Sequence, residues 1–130
     1  MKNLIEKINN LSEKRINFYE NNDDKGFYKW NKTYIDSMIW EIEEVKAEIK
    51  DNNSVHLEDE LWDVFWTYIC LLNSLKEEWL ITSVEKVFER SYKKFSWRIN
   101  EIDWTNNWEW SEVKKCQKES LELEKLNLKK

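Results

Sequence analysis

Apolar residues return every three or four positions along most of this chain, the period of helices that bury one side. Leu4, Ile5, Ile8, Leu11, Ile16 and Tyr19 predict a first helix from about Asn3 to Asn21. A polar turn, Asn21 to Gly26, and an aromatic loop with Phe27, Tyr28 and Trp30 precede the second helix. Thr33 with Asp36 reads as its capping box, and Ile35, Met38, Ile39, Ile42, Val45 and Ile49 carry it to about Lys50. Asp51-Asn52-Asn53 breaks the pattern, and Ser54 is positioned to cap a third helix ending near Glu78. Thr82 with Glu85 opens a fourth helix, through about Ile102. Asp103 to Asn107 reads as a linker, followed by a short polar helix from about Trp108 that fades into a lysine-rich end. The expectation is an all-α bundle of four main helices over residues 1–110, with residues 111–130 a polar C-terminal helix or tail.

Composition narrows the class. The 130 residues include no proline and one glycine, Gly26, so tight hairpins, Gly-rich dinucleotide loops and P-loops are excluded. A formal charge of -5 argues against nucleic-acid polymers as partners. No apolar run reaches the length of a membrane span, and residues 1–20 lack a signal-peptide core. Cys70 and Cys116 lie in unlike settings, which suggests a reducing, cytoplasmic compartment rather than a disulfide. His56, the sole histidine, removes multi-histidine zinc sites and reads as an exposed first-turn residue. Nine tryptophans are many for one small domain. Trp62 and Trp66 fall on a different side of the third helix from Leu57, Leu61, Val64 and Tyr68, which points to a second buried surface: a subunit interface rather than only a thick core.

The chemistry concentrates in the second and third helices. At 100° per residue Glu41, Glu44 and Glu48 share one edge of the second helix, and Glu60 and Asp63 flank the apolar stripe of the third. The short break at Asp51–Asn53 makes the two helices antiparallel neighbours. Packed stripe on stripe, they gather Glu41, Glu44, Glu60 and Asp63 at one rim. Clustered carboxylates repel unless a cation lies between them, and oxygen-only donors select Mg²⁺, Mn²⁺ or Ca²⁺ over zinc. Solvated glutamates on helix flanks are the bland alternative, with the chain then a non-catalytic helical module that oligomerises through its tryptophans.

Glu41-x-x-Glu44, a 15-residue gap and Glu60-x-x-Asp63 resemble the signature of the all-α NTP pyrophosphohydrolases, a superfamily of MazG proteins, dimeric dUTPases, dCTP pyrophosphatases and phosphoribosyl-ATP pyrophosphohydrolase. Asp59-Glu60-Leu61-Trp62-Asp63-Val64-Phe65-Trp66 is similar to that family's Glu-Glu-Leu-Gly-Asp-Val-Leu-Phe segment. Lys94-Phe95-Ser96-Trp97-Arg98 resembles its basic Lys-Phe-x-x-Arg element, and Trp110-Ser111-Glu112-Val113-Lys114 its Trp-Glu-x-x-Lys. The likeness covers roughly residues 25–119. It departs at Trp40, where MazG proteins often carry a further glutamate, and at Trp62, which replaces a glycine. An asparagine common before the basic pair is also missing, with Ser91 and Tyr92 in that region.

The resemblance implies hydrolysis of a nucleoside triphosphate to monophosphate and pyrophosphate, with Mg²⁺ (or Mn²⁺) on Glu41, Glu44, Glu60 and Asp63. It makes Lys94 and Arg98 phosphate partners, chosen from the four-spaced stripe Lys86, Arg90, Lys94, Arg98. Phe27, Tyr28 and Trp30 become a base-stacking platform, and the assembly a homodimer or homotetramer. Water is the expected nucleophile, with Glu44, then Glu48, as base. Phosphoribosyl-ATP is a narrower substrate within the same family.

Overall fold

The computed structural model describes residues 1–22, 26, 28–101 and 107–129. Half of the expected first turn (residues 23–25), Phe27 and most of the expected linker lie outside these residues. The described residues form five helices and no strand: α1 (Lys2–Asn22), α2 (Asn31–Glu48), α3 (Ser54–Glu77), α4 (Val84–Glu101) and α5 (Asn107–Leu128). The fold is all-α, as the periodicity predicts. None of these helices is long and apolar enough to cross a membrane. They fall into two compact units, Met1–Val84 and Glu85–Lys130.

In the first unit α3 is the shared partner, with α1 and α2 both packed on it. The α2–α3 pair is antiparallel: Asn31 meets Glu78 at one end and Asn53 folds back on Glu48 at the other. The helix ends differ from the capping reading. α2 begins two residues before Thr33, whose hydroxyl accepts the Lys29 N–H at 2.6 Å. The orphan N–H of Asn31 finds its acceptor across the bundle, in the Glu78 carboxylate at 3.1 Å, and the Asn31 side chain donates to the same group at 2.9 Å. Ser54 is the first residue of α3 rather than its cap. The flanking Asn53 donates from its side chain to the Glu48 carbonyl (2.9 Å) and carboxylate (2.6 Å), closing the end of α2. Asn52 turns the chain with φ of 55°, a left-handed conformation that asparagine tolerates.

The buried positions correct the expected faces. On α1 the inner row is Ile8, Ser12 and Ile16, spaced by four, while Leu4 and Leu11 are exposed. Ile16, Tyr34 and Cys70 make the apolar centre, with Tyr28, Trp66 and Leu71 against it. Trp66 is therefore a core residue, whereas Leu61, expected inside, is 51% exposed. The α1–α3 contact is strongly polar: the buried Asn73 side chain donates to Ser12 Oγ (3.0 Å), Asn9 Oδ1 (3.0 Å) and the Ile69 carbonyl (3.3 Å). Ser12 in turn donates to Cys70 Sγ at 3.4 Å. These bonds satisfy the Asn73 amide nitrogen and the Ser12 hydroxyl, while Asn73 Oδ1 is buried without a partner among the described residues.

The second unit is an antiparallel helix pair. Arg90 on α4 grips Glu124 on α5 with both terminal nitrogens, and Arg98 Nε donates to Gln117 Oε1 at 2.7 Å. Gln117 returns a bond to the Lys94 carbonyl at 3.2 Å. These side-chain anchors carry α5 as a regular helix of 22 residues, well past the short polar helix expected.

Candidate active site

The side of α2 turned to α3 carries Tyr34, Met38, Glu41, Val45 and Glu48, none of them exposed. On α3 the matching row is Glu60, Asp63, Thr67, Cys70 and Ser74. Each row keeps helical spacing, so one seam runs the length of the pair, apolar around Tyr34 and Cys70 and acidic around Glu41 and Asp63. The expectation had placed the acids at a rim and the isoleucines inside. The structure instead turns Glu41 inward and leaves Ile35, Ile39 and Ile42 exposed. The isoleucine row is rotated by roughly 100° from the acid-bearing row, the angle of a single residue step.

One carboxylate oxygen from each of Glu41, Glu60 and Asp63 lies within 4.8 Å of the others. All three acids are half-buried. Their mutual proximity and loss of water oppose ionisation. The Glu41 carboxyl rises from 4.5 to about 7, chiefly through burial, then through its hydrogen bond with Glu44 and the charges of Glu44, Asp63 and Glu60. Asp63 is pushed up by burial and by Asp59 and Glu44, and Glu60 by its desolvation and by Glu44, Asp63 and Asp59. Glu44 is exposed and joins the group through Glu41 rather than through the three-oxygen cluster. Glu48 is drawn away: Asn53 and Lys50 bind its carboxylate and hold its pKa down.

Glu41 Oε2 is buried and has no hydrogen-bond partner among the described residues. Such an atom costs about 1–3 kcal/mol, and more when charged. Three carboxylates converging, one of them with a buried unpaired oxygen and none with a nitrogen or sulfur donor beside it, fit a divalent cation of the Mg²⁺ type. Glu41, Glu60 and Asp63 would hold it, with Glu44 at the margin.

Residues 30–102, more than half of the chain, match the MazG nucleotide pyrophosphohydrolase domain. The chain belongs to that family. No curated protein and no solved structure gives a significant match. The MazG segment contains α2, α3 and α4, hence the acids, Lys94 and Arg98, and leaves out α1 and α5. That family is typically divalent-metal dependent, and the cluster of Glu41, Glu60 and Asp63 is a group of oxygen donors that could hold such an ion.

The other expected site residues have their own surroundings. Tyr28 is engaged in the bundle, its hydroxyl 2.8 Å from Ser74 Oγ and its ring stacked on Tyr19 at 5.7 Å. Trp30 packs against Tyr28 at 5.3 Å. Between Asn31 and Glu41 the helix rises about 15 Å, so these rings and the acids occupy opposite halves of the α2–α3 seam. Phe27 lies outside the described residues. In the second unit the buried Arg98 guanidinium sits 4.7 Å from the Trp110 ring and 5.4 Å from that of Phe95, while Lys94 Nζ lies 5.6 Å from Phe95. Glu78, which ties α2 to α3, escaped the sequence reading because its role depends on an acceptor reaching across 47 residues of chain.

Proposed function

We propose that this MazG protein is a Mg²⁺-dependent nucleoside triphosphate pyrophosphohydrolase, converting a (d)NTP and water to the (d)NMP and pyrophosphate, within a domain spanning residues 1–110. The observation that supports this reading is the inward-turned cluster of Glu41, Glu60 and Asp63, whose buried oxygen and raised carboxyl pKa values are what a divalent cation would relieve. Bound there, Mg²⁺ (or Mn²⁺) supplies charge neutralisation and polarisation of the α-phosphoryl group. Glu44, exposed and beside Glu41, accepts the proton of the attacking water. Lys94 and Arg98 receive phosphate charge, and the Gln117 bond with the flanking rings orients the Arg98 guanidinium. No side chain in the cluster is a nucleophile of the serine or cysteine kind, which leaves water for the attack.

The protein works as a homo-oligomer in a reducing compartment. Ile35, Ile39, Trp40, Ile42, Leu61 and Trp62 are all exposed on the two helices that bear the acids, an apolar area unusual for a monomer. About 15 Å of helix separates the acids from the end of α2 next to Tyr28 and Trp30, a span comparable to an extended nucleoside triphosphate. Phe27, Tyr28 and Trp30, before α2, supply the stacking platform for the base. Product analysis by phosphorus NMR tests the reading: pyrophosphate as the first inorganic product agrees with it, and orthophosphate contradicts it.

A further inference from the structure

Trp30 leads into α2 in a backbone conformation that side chains rarely adopt, with φ of 55° and ψ of -141°. Glycine is nearly alone in that region, and other residues stay there only where their surroundings over-determine them. Here the chain is held on both sides of Trp30, and both sets of bonds lead to one carboxylate. After Trp30, Glu78 accepts the Asn31 N–H at 3.1 Å and the Asn31 side-chain amide at 2.9 and 3.1 Å. Before it, the Tyr28 hydroxyl lies 2.8 Å from Ser74 Oγ, which donates to Glu78 at 3.4 Å. With the Ser74 hydrogen directed at Glu78, the Tyr28 O–H is the donor to Ser74. Burial chiefly, with the charges of Glu20, Glu78 and Glu77, holds the Tyr28 hydroxyl above its ordinary pKa, so it keeps the proton it donates. Glu78 is half-buried at the end of α3.

What this brace fixes is a ring. The Trp30 indole is tilted against Tyr28 with centroids 5.3 Å apart, and the residue is 45% exposed, so part of it meets solvent from a backbone that is not free to relax. A relaxed φ would swing the Cα–Cβ bond and carry the indole off Tyr28. We propose that Glu78 is a positioning residue for base recognition. It acts through Asn31 on one side and through Ser74 and Tyr28 on the other, and holds the Trp30 indole where a nucleobase stacks. For the ligand this rests on the base-stacking role given to Trp30 in the proposed function; the brace on the indole does not. A residue that only closed a helix end would affect stability and leave both the indole and the balance of KM and kcat alone.

Fluorine NMR of the full chain labelled with 5-fluorotryptophan reads the indole directly, with Trp30→Phe assigning its line. In EDTA, at least one of adenosine, cytidine, uridine and thymidine should shift the Trp30 line. Glu78→Gln keeps the size and one acceptor oxygen, and sets an amide donor among the donors of Asn31. It should displace the Trp30 line without nucleoside and weaken the nucleoside response about tenfold. In the Mg²⁺ pyrophosphate-release assay the same variant should raise KM about tenfold and keep kcat within about twofold of wild type. Tyr28→Phe keeps the ring and cuts only the Ser74 branch, so it should also displace the line; it carries the test where circular dichroism shows Glu78→Gln unfolded. The proposal is overturned by a Trp30 line that neither substitution moves, by a wild-type line that no nucleoside moves, or by a fall in kcat at unchanged KM. Turnover in the wild type separates the two claims. A Trp30 line that answers to nucleosides and to Glu78→Gln in a protein releasing no pyrophosphate removes the enzyme and keeps the brace. Turnover with an unresponsive line removes the brace and keeps the enzyme.

Discussion

Replacing Glu41 with glutamine should make the metal-free protein more stable at high pH, not less. In the unfolded chain Glu41 ionises near 4.5, and in the folded protein near 7. Between these values the folded state holds the extra proton, so stability falls as pH rises through this window and levels off above it. At 1.36 kcal/mol for each tenfold change in proton affinity, the full penalty above pH 7 is about 3 kcal/mol, and about 2–3 after allowing for partial access of water. Glutamine keeps the shape and removes the charge. Urea denaturation of wild type and Glu41→Gln in EDTA should therefore show the variant more stable by about 2 kcal/mol at pH 8, with little difference at pH 4.5. Mg²⁺ should stabilise the wild type at pH 8 and do far less for the variant, because a ligand that binds only the folded state shifts unfolding by mass action. Equal stability of the two proteins at both pH values, or a variant less stable at pH 8 than at pH 4.5 relative to wild type, would refute the strained-carboxylate argument.

Further outcomes follow from other parts of the structure. Trp79 closes α3 in a left-handed conformation (φ 61°), with Leu80 N–H donating to the Leu75 carbonyl and Trp79 N–H to that of Lys76, the pattern in which glycine is usual. Its side chain is 93% exposed, so Trp79→Gly should raise stability by about 0.5–1 kcal/mol, read as a few degrees in Tm; a lower Tm would contradict this. Arg98→Ala should cost about 2–4 kcal/mol in urea denaturation through loss of the Gln117 bond and the Phe95 and Trp110 ring contacts, and Arg98→Lys should not restore it; an unchanged midpoint would show that the buried guanidinium is not structural. Ile39, 65% exposed, should tolerate lysine in the fold, yet Ile39→Lys should shift light-scattering mass toward the 16.1 kDa monomer; a wild type already monomeric at micromolar concentration would remove the interface.

Much of this protein is legible in its residues because long amphipathic helices announce themselves through spacing alone. The four main helices stand within a few residues of their expected limits, and the Glu41–Asp63 constellation needed only helical geometry and a short connection. Which face turns inward was less legible. Ile35, Ile39 and Ile42 are the more hydrophobic row of α2, yet the row of Tyr34, Glu41 and Val45 faces α3. Hydrophobicity marks surfaces that avoid water without saying whether the same chain or another copy covers them. Polar core residues were missed for a related reason. Ser12, Asn73 and Ser74 look like surface residues until the hydrogen bonds that reconcile them with burial are seen. The length of α5 was hidden because its anchors, Gln117 and Glu124, are polar residues paired with arginines far away in sequence.

The central claim is that the acids of α2 and α3 hold a divalent cation for pyrophosphate release, and a coupled assay for pyrophosphate tests it most directly. The full chain should be screened against the canonical and common damaged (d)NTPs with Mg²⁺, alongside Glu60→Gln and Asp63→Asn checked for wild-type helicity by circular dichroism. The account predicts pyrophosphate from at least one nucleotide, abolished by EDTA and by either substitution. Turnover that survives EDTA or the loss of Glu60, or a full screen without pyrophosphate from a folded, Mg²⁺-loaded wild type, would contradict it.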